Sequence, residues 1–440
     1  MRKRRKMSKR YRKMPINKEA DRSRRILKIC LALFGVCLLV VGGYFGLKLA
    51  GVDISSVSKP SSEESSSYTQ ISSSSQMTEE SSSDTQDTLQ ESSVPEPVSI
   101  HILGVGDNLI HDAIYKQAQT RAGGEGYDFS FVYERVAEDI ASADVAVINQ
   151  ETILASEKFP PSNYPLFCTP VEMGDELVSL GFDVVNQANN HLLDKGVEGL
   201  EAALEYWDTQ PVMAIGAYRN DEDLMNIRIV ESNGIKTAHI GVTEMTNGLS
   251  LPEGSPYRIV YTSETELIEK LIKKAKSMAD VVVVSAHWGN ENTSEVTEAQ
   301  ETLAQDMVNW GADIIFGNHA HTLQPLTLLT RESDGAKCPV IYAMGNFVSA
   351  QAYGMNMISG MLDVTVTKDF ETGKTTFTDM TFKPIVTHYG ARYSDITIYP
   401  LSEYTEELAA SHGVCARTPA FSLDYLDQFV TENIPAEYLD

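Results

Sequence analysis

Ile314-Ile315-Phe316-Gly317-Asn318-His319-Ala320-His321 is an apolar run of three residues that passes directly into a polar turn carrying two imidazoles. A short run of this kind, rich in β-branched residues, reads as a buried strand. The same pattern recurs along the chain. Residues 100–105 lead into Gly106-Asp107, and residues 145–148 lead into Asn149-Gln150-Glu151. Residues 182–185 lead into Asn186-Gln187-Ala188-Asn189-Asn190-His191, and residues 281–284 into Ser285-Ala286-His287-Trp288-Gly289. A sixth run, 340–343, precedes Met344-Gly345-Asn346-Phe347.

Stretches with the spacing of amphipathic helices separate these runs, at 130–142, 171–180, 197–207, 264–278 and 298–310. Strands alternating with helices predict an α/β core. Residues 227–230, 236–240, 361–366 and 374–383 read as further strands, of antiparallel character. No internal repeat stands out.

In open α/β sheets the C-terminal strand ends share one edge, and ligand sites form there. Five strand ends therefore deliver Asp107, Glu151, Asn190, His191, His287, His319 and His321 to one crevice. Each residue has a bland alternative when taken singly. Asp107 alone would be a helix cap or turn residue, and His287 beside Trp288 a packed core histidine. His319 and His321 form a His-x-His pair whose side chains point the same way if the backbone is extended. The combination points to metal: oxygen and nitrogen donors without thiolates suit Mn, Fe or Zn.

Gly106-Asp107, Asn149-x-Glu151, Ala188-Asn189-Asn190-His191, His287-Trp288-Gly289, Gly317-Asn318-His319-Ala320-His321 and Met344-Gly345-Asn346-Phe347 together resemble the CapA family. This is the poly-γ-glutamate capsule-synthesis group, itself similar to calcineurin-like metallophosphoesterases. The resemblance runs in order from about residue 100 to about residue 347. It implies a metallophosphatase-like four-layer α-β-β-α sandwich holding two divalent metal ions. It also implies roles: Asp107 and His321 on the first ion, Asn190, His287 and His319 on the second, and Glu151 where a bridging aspartate is usual. His191 resembles the histidine that polarises the phosphoryl group or protonates the leaving group. One departure matters. Leu109 stands where the family superfold has a histidine ligand, so His111 is a further candidate ligand, and Asn346 is a candidate for the pocket wall.

Before this region the chain changes character. Residues 1–28 hold fourteen Lys and Arg against two acids, while the whole chain has a formal net charge of -25. Residues 29–47 follow with 19 uncharged residues, the length of a bilayer crossing. The positive-inside bias puts residues 1–28 in the cytoplasm, a transmembrane helix at 29–50, and the rest outside the cell. Residues 51–96 are dominated by Ser, Thr and acids and read as a solvated linker; residues 97–440 form the extracellular domain. The acidic domain argues against nucleic-acid partners. Cys168, Cys338 and Cys415 are an odd set, so no disulfide framework is implied. The expected function is a metal-dependent hydrolase acting on a phosphoester or other polar bond of a cell-envelope or capsule polymer, beside membrane biosynthesis subunits. The alternative is a non-catalytic accessory protein that binds or exports an anionic polymer such as poly-γ-glutamate.

Overall fold

Four consecutive valines show how the core divides. Val281 and Val283 join one hydrophobic cluster, while Val282 and Val284 join another with Ile268, Leu271, Ala304 and Met307. Alternate side chains of a strand point to opposite faces, so this strand is covered on both sides: by a second sheet on one, by helices on the other.

The computed structural model describes residues 96–440, within the compact unit Leu89–Asp440. The predicted basic tail, membrane helix and nearly all of the linker lie outside the described residues. Among the described residues, no helix is long and apolar enough to cross a membrane.

The first sheet contains β1 (Val98–Asn108), β2 (Val145–Asn149), β3 (Val184–Asn186) and β4 (Met213–Ile215). A two-residue strand, β5 (Ala217–Tyr218), pairs with β8 (Arg258–Ile259) in a separate ribbon. The second sheet contains β6 (Arg228–Ser232), β7 (Ile235–Thr243), β9 (Val281–His287), β10 (Ile314–Asn318), β11 (Leu326–Thr330) and β12 (Lys337–Ile341). The first sheet is completed by β13 (Asn346–Val348), β14 (Ile358–Asp369), β15 (Lys374–His388) and β16 (Thr397–Pro400).

The first sheet runs β16-β15-β14-β1-β2-β3-β4, with β13 added at the end of β1; the second runs β11-β12-β10-β9-β7-β6. β1 to β4 are parallel neighbours, whereas β14, β15 and β16 extend the sheet antiparallel. In the second sheet β7, β9, β10 and β12 are parallel. The parallel strands therefore end on the same edge, as the α/β reading requires.

The two sheets touch closely. A Cβ on Gly104 would lie 2.7 Å from the Phe316 ring, and one on Gly241 would lie 2.3 Å from the Asn186 side chain. Ile102 and Val145 from the first sheet share one core with Val283, Ile314 and Phe316 from the second. The helices Glu172–Leu180 and Gly196–Trp207 bury Met173, Leu177 and Tyr206 in that same cluster. Thr265–Lys276 and Glu298–Trp310 cover the second sheet. This is a mixed α/β fold built on two sheets.

Two local expectations change. The helix expected at 130–142 is two pieces, Ser130–Tyr133 and Ala137–Ser142. Phe131, Val132, Tyr133 and Val136 are buried while Glu134 and Arg135 between them are exposed, and the backbone leaves the helical region at Val136 (φ -119, ψ 1), which ends the first piece. The strand expected at 340–343 is Lys337–Ile341. The Tyr342 carbonyl is diverted from the ladder and accepts the Trp288 indole N–H at 2.9 Å.

Candidate metal centre

Close approach of the backbone makes the centre possible. A Cβ on Gly106 would lie 1.9 Å from the Gly345 carbonyl oxygen, and one on Gly317 the same distance from that of Tyr342. Without side chains there, β13 reaches β1, and the Asp107 N–H donates to Gly345 O at 2.9 Å. Asp107 then stands level with Asn149 on one side and Asn346 on the other.

The strand ends bring the predicted residues together. Asp107, Glu151 and His321 form one group able to hold a metal ion, and Glu151, His287 and His319 form another, with Glu151 in both. His321 Nδ1 is 3.2 Å from Asp107 Oδ2, and its Nε2 is 3.6 Å from Glu151 Oε1. His287 Nε2 lies 3.8 Å from Glu151 Oε1 and 3.0 Å from both Asn190 Oδ1 and His319 Nδ1. Asn190 thus abuts the second group.

The His-x-His pair is not extended. His319 and His321 have φ of +92° and +57°, a left-handed backbone that non-glycine residues adopt at a cost of about 1–3 kcal/mol each. A turn, not strand alternation, sends the two rings to different groups: His319 towards His287, and His321 between Asp107 and Glu151. Part of what holds the turn is the His319 N–H, which donates to Asp107 Oδ2 at 3.2 Å.

Both oxygens of Glu151 are buried without a hydrogen-bond partner. Buried polar atoms are otherwise almost always paired, and an exception needs an explanation such as an ion. The surrounding donors fit one. Burial pushes the Glu151 carboxyl well up. Burial, then His319, holds His287 well below its usual range, and burial likewise lowers His319 to about 4. Both imidazoles are therefore neutral near pH 7, the form that ligates metal. Burial pulls His321 down, but Glu151 and Asp107 overcome it and raise the ring to about 10.

His111 does not join either group among the described residues. Its Nδ1 accepts the Ala350 N–H at 3.2 Å, its ring packs edge-on against Phe167, and burial lowers it to about 4. Leu109 is buried beside it. Asn346 is fully buried, with Oδ1 3.0 Å from His321 Nδ1 and Nδ2 donating to Gln351 Oε1 at 2.8 Å. It braces the His321 ring.

His191 belongs to neither group. Its Nδ1 is 2.7 Å from Asp194 Oδ2, and the Phe167 ring packs edge-on at 4.7 Å. The sequence reading did not single out Asp194, although the His-x-x-Asp spacing in a turn was its available signal. It also passed over two braces. Asn149 donates to Asp107 Oδ1 at 2.7 Å, and Asn186 donates to Asn149 Oδ1 at 3.0 Å. Asn149 was visible only as part of a motif.

Against known proteins, the family model described as "Bacterial capsule synthesis protein PGA_cap" matches residues 101–351. The PGA biosynthesis protein CapA of Bacillus subtilis is 31% identical over 195 residues, covering 44% of this chain and 49% of that protein. The capsule biosynthesis protein CapA of Bacillus anthracis is 34% identical over 178 residues, covering 39% and 41%. The chain thus spans about half the length, or less, of these two curated relatives. Among solved structures, a novel phosphatase of Mycoplasma pneumoniae aligns with a TM-score of 0.39 and 15% identity, over 66% of this chain and 95% of that one. The NAD nucleotidase of Haemophilus influenzae aligns with a TM-score of 0.40 and 12% identity, over 77% and 60%.

Proposed function

The chain belongs to the bacterial capsule synthesis protein family PGA_cap, and from that premise we propose that it is a divalent-metal-dependent hydrolase of a cell-envelope or capsule polymer. The carrying observation is the Glu151 carboxylate, fully buried, unpartnered and common to two groups of metal-capable side chains. In this reading Asp107, Glu151 and His321 hold one ion, and Glu151, Asn190, His287 and His319 a second, each Mn, Fe or Zn. Such a pair of ions, when bound, acidifies water and neutralises charge on an attacked phosphoryl oxygen.

The chain's own residues supply the rest. Asp194 accepts a hydrogen bond from His191 Nδ1, which fixes the ring and its orientation. His191 Nε2 then gives its proton to the oxygen that departs as the phosphorus–oxygen bond breaks, so no free alkoxide forms. Phe167 packs the ring and limits its rotation. Asn149 and Asn346 hold Asp107 and His321 in ligating orientation, the second-shell role that metal sites require.

The proposed setting is the outer face of a membrane. The basic residues 1–28 and the uncharged residues 29–47 support an anchor with a cytoplasmic N-terminus. The test is hydrolysis of an aryl phosphodiester and an aryl phosphomonoester by the full-length protein, stripped with chelator and reloaded with Mn. Turnover that requires metal and is lost in folded His191→Ala supports the reading. Stoichiometric metal without turnover on any phosphoester or amide probe would replace it with the accessory role, in which the ions grip an anionic polymer.

A further inference from the structure

The family match ends at residue 351, and immediately after it the chain builds a second cavity. It has a volume of about 450 Å³, and its lining includes Ala352, Tyr389, Arg392, Tyr393, His412 and Arg417. Three features set it apart from an ordinary surface hollow.

First, its charges are unspent. Of the eight arginines among the described residues, Arg135, Arg219, Arg228, Arg258 and Arg331 pair with carboxylates, and Arg121 lies over the Phe131 ring. Arg392 and Arg417 have neither kind of partner among the described residues, and both line this one cavity. In a chain of formal net charge -25, acids are plentiful, yet even Asp395, three residues from Arg392, pairs with neither.

Second, the backbone around Arg392 holds an unfavourable shape. Arg392, Tyr393 and Asp395 have φ of +59°, +60° and +53°, each a left-handed conformation that costs energy in a non-glycine residue. Tyr389 and Tyr393 pack with ring centroids 4.7 Å apart, and the Gln117 side chain donates to Tyr393 O at 2.7 Å.

Third, the cavity is joined to the metal centre. The Tyr389 hydroxyl donates to Gln351 O at 2.7 Å. The Gln351 side chain accepts from Asn346, which contacts His321. The next residue back, Ala350, donates to His111. The short segment Ser349, Ala350, Gln351 and Ala352 therefore touches Asn346 through Gln351 and lines the arginine cavity through Ala352.

We propose that this cavity is an oxyanion subsite. It takes a carboxylate or phosphate group of a ligand, held by the Arg392 and Arg417 guanidiniums. Guanidinium forks bind planar or tetrahedral oxyanions through paired N–H donors, and the tyrosine rings supply a surface for the rest of the ligand. What the proposal adds to the functional reading above is a binding site at Arg392 and Arg417, outside the metal centre.

The experiment is direct binding of two probes to the full-length, Mn-loaded protein by calorimetry: a glutamate decamer, offering carboxylates, and tripolyphosphate, offering phosphates. Variants Arg417→Gln, Arg392→Gln and the pair are compared with Arg135→Gln, which alters an arginine outside the cavity. The expected result is roughly tenfold weaker binding of at least one probe for each cavity substitution, and none for Arg135→Gln. Loss confined to one probe identifies the group that the subsite accepts. Should Arg392→Gln fail to fold, Arg417→Gln decides alone. Unaltered binding of both probes in the folded variants, or no binding of either by the unsubstituted protein, overturns the subsite. Because binding needs no turnover, absence of hydrolysis would refute the hydrolase while leaving this result readable.

Discussion

Replacing Glu151 with Gln separates the two demands placed on that position. The side chain keeps its size but loses its charge, and in the native site both oxygens are buried without a partner. In the ion-free protein this substitution removes the penalty of burying an unpaired acid, so stability should hold or rise, by about 1–3 kcal/mol. In the loaded protein the sign reverses. A ligand present at a hundred times its Kd stabilises by about 2.7 kcal/mol. For a domain of about 340 residues, the unfolding entropy near Tm is about 0.7 kcal/mol per degree, so that stabilisation lifts Tm by about 4 °C. Glu151→Gln should lose most of the rise, leaving less than about 1 °C, because the shared ligand of both groups is gone. The assay is a pair of thermal melts, with chelator and with Mn, read beside elemental analysis of the dialysed protein. A folded Glu151→Gln variant that keeps the full Mn-dependent rise, or retains as much metal as the unsubstituted chain, would refute the shared-ligand argument.

Three other outcomes follow from particular contacts. Asp194→Asn should leave metal content intact and lower kcat about 10- to 100-fold with little change in KM, because it disturbs the His191 ring and not a ligand; steady-state kinetics with an aryl phosphodiester checks it. Gly104→Ala places a methyl 2.7 Å from the Phe316 ring, so overpacking between the sheets should cost about 1–3 kcal/mol in urea unfolding. Acid should weaken the fold through His239 and His412, which burial lowers to about 3 and about 4. The unfolded chain takes up their protons from about pH 6.5 downwards, so their contribution is full above that pH and is lost as pH falls towards the folded values. By pH 5 the expected loss is about 2 kcal/mol for each histidine. A urea-unfolding comparison at pH 7 and pH 5 should show a smaller pH dependence in His412→Gln than in the unsubstituted protein.

The alternation of strands and helices was legible in the chain because parallel strands buried on both faces must be short runs of apolar residues. The valines of β9 and the Ile314-Ile315-Phe316 run carry that signature in sequence. Strands that lack it were not legible. Met213-Ala214-Ile215 and Leu326-Thr327-Leu328-Leu329-Thr330 sit at the sheet edges as β4 and β11, where one side needs no partner and the pattern weakens. The break in 130–142 was hidden for another reason: the apolar spacing runs through it, and only the backbone angles at Val136 interrupt the helix.

The sequence by itself determined which side chains were available to a metal centre, because acids and imidazoles placed after buried strands must emerge along one edge. It also determined the asymmetry of the chain, since charge and hydropathy are properties of composition. Tertiary structure alone decided how those side chains pair: that Glu151 belongs to both groups, that a left-handed turn sends His319 and His321 to different partners, and that His111 and Asn346 serve the backbone and the His321 ring. It alone revealed Asp194 behind His191 and two unpaired arginines beside the segment that braces His321. The physical reason is range. Strand-forming tendency is set by neighbours along the chain, whereas burial, hydrogen-bond partnership and charge pairing are set by groups tens or hundreds of residues away.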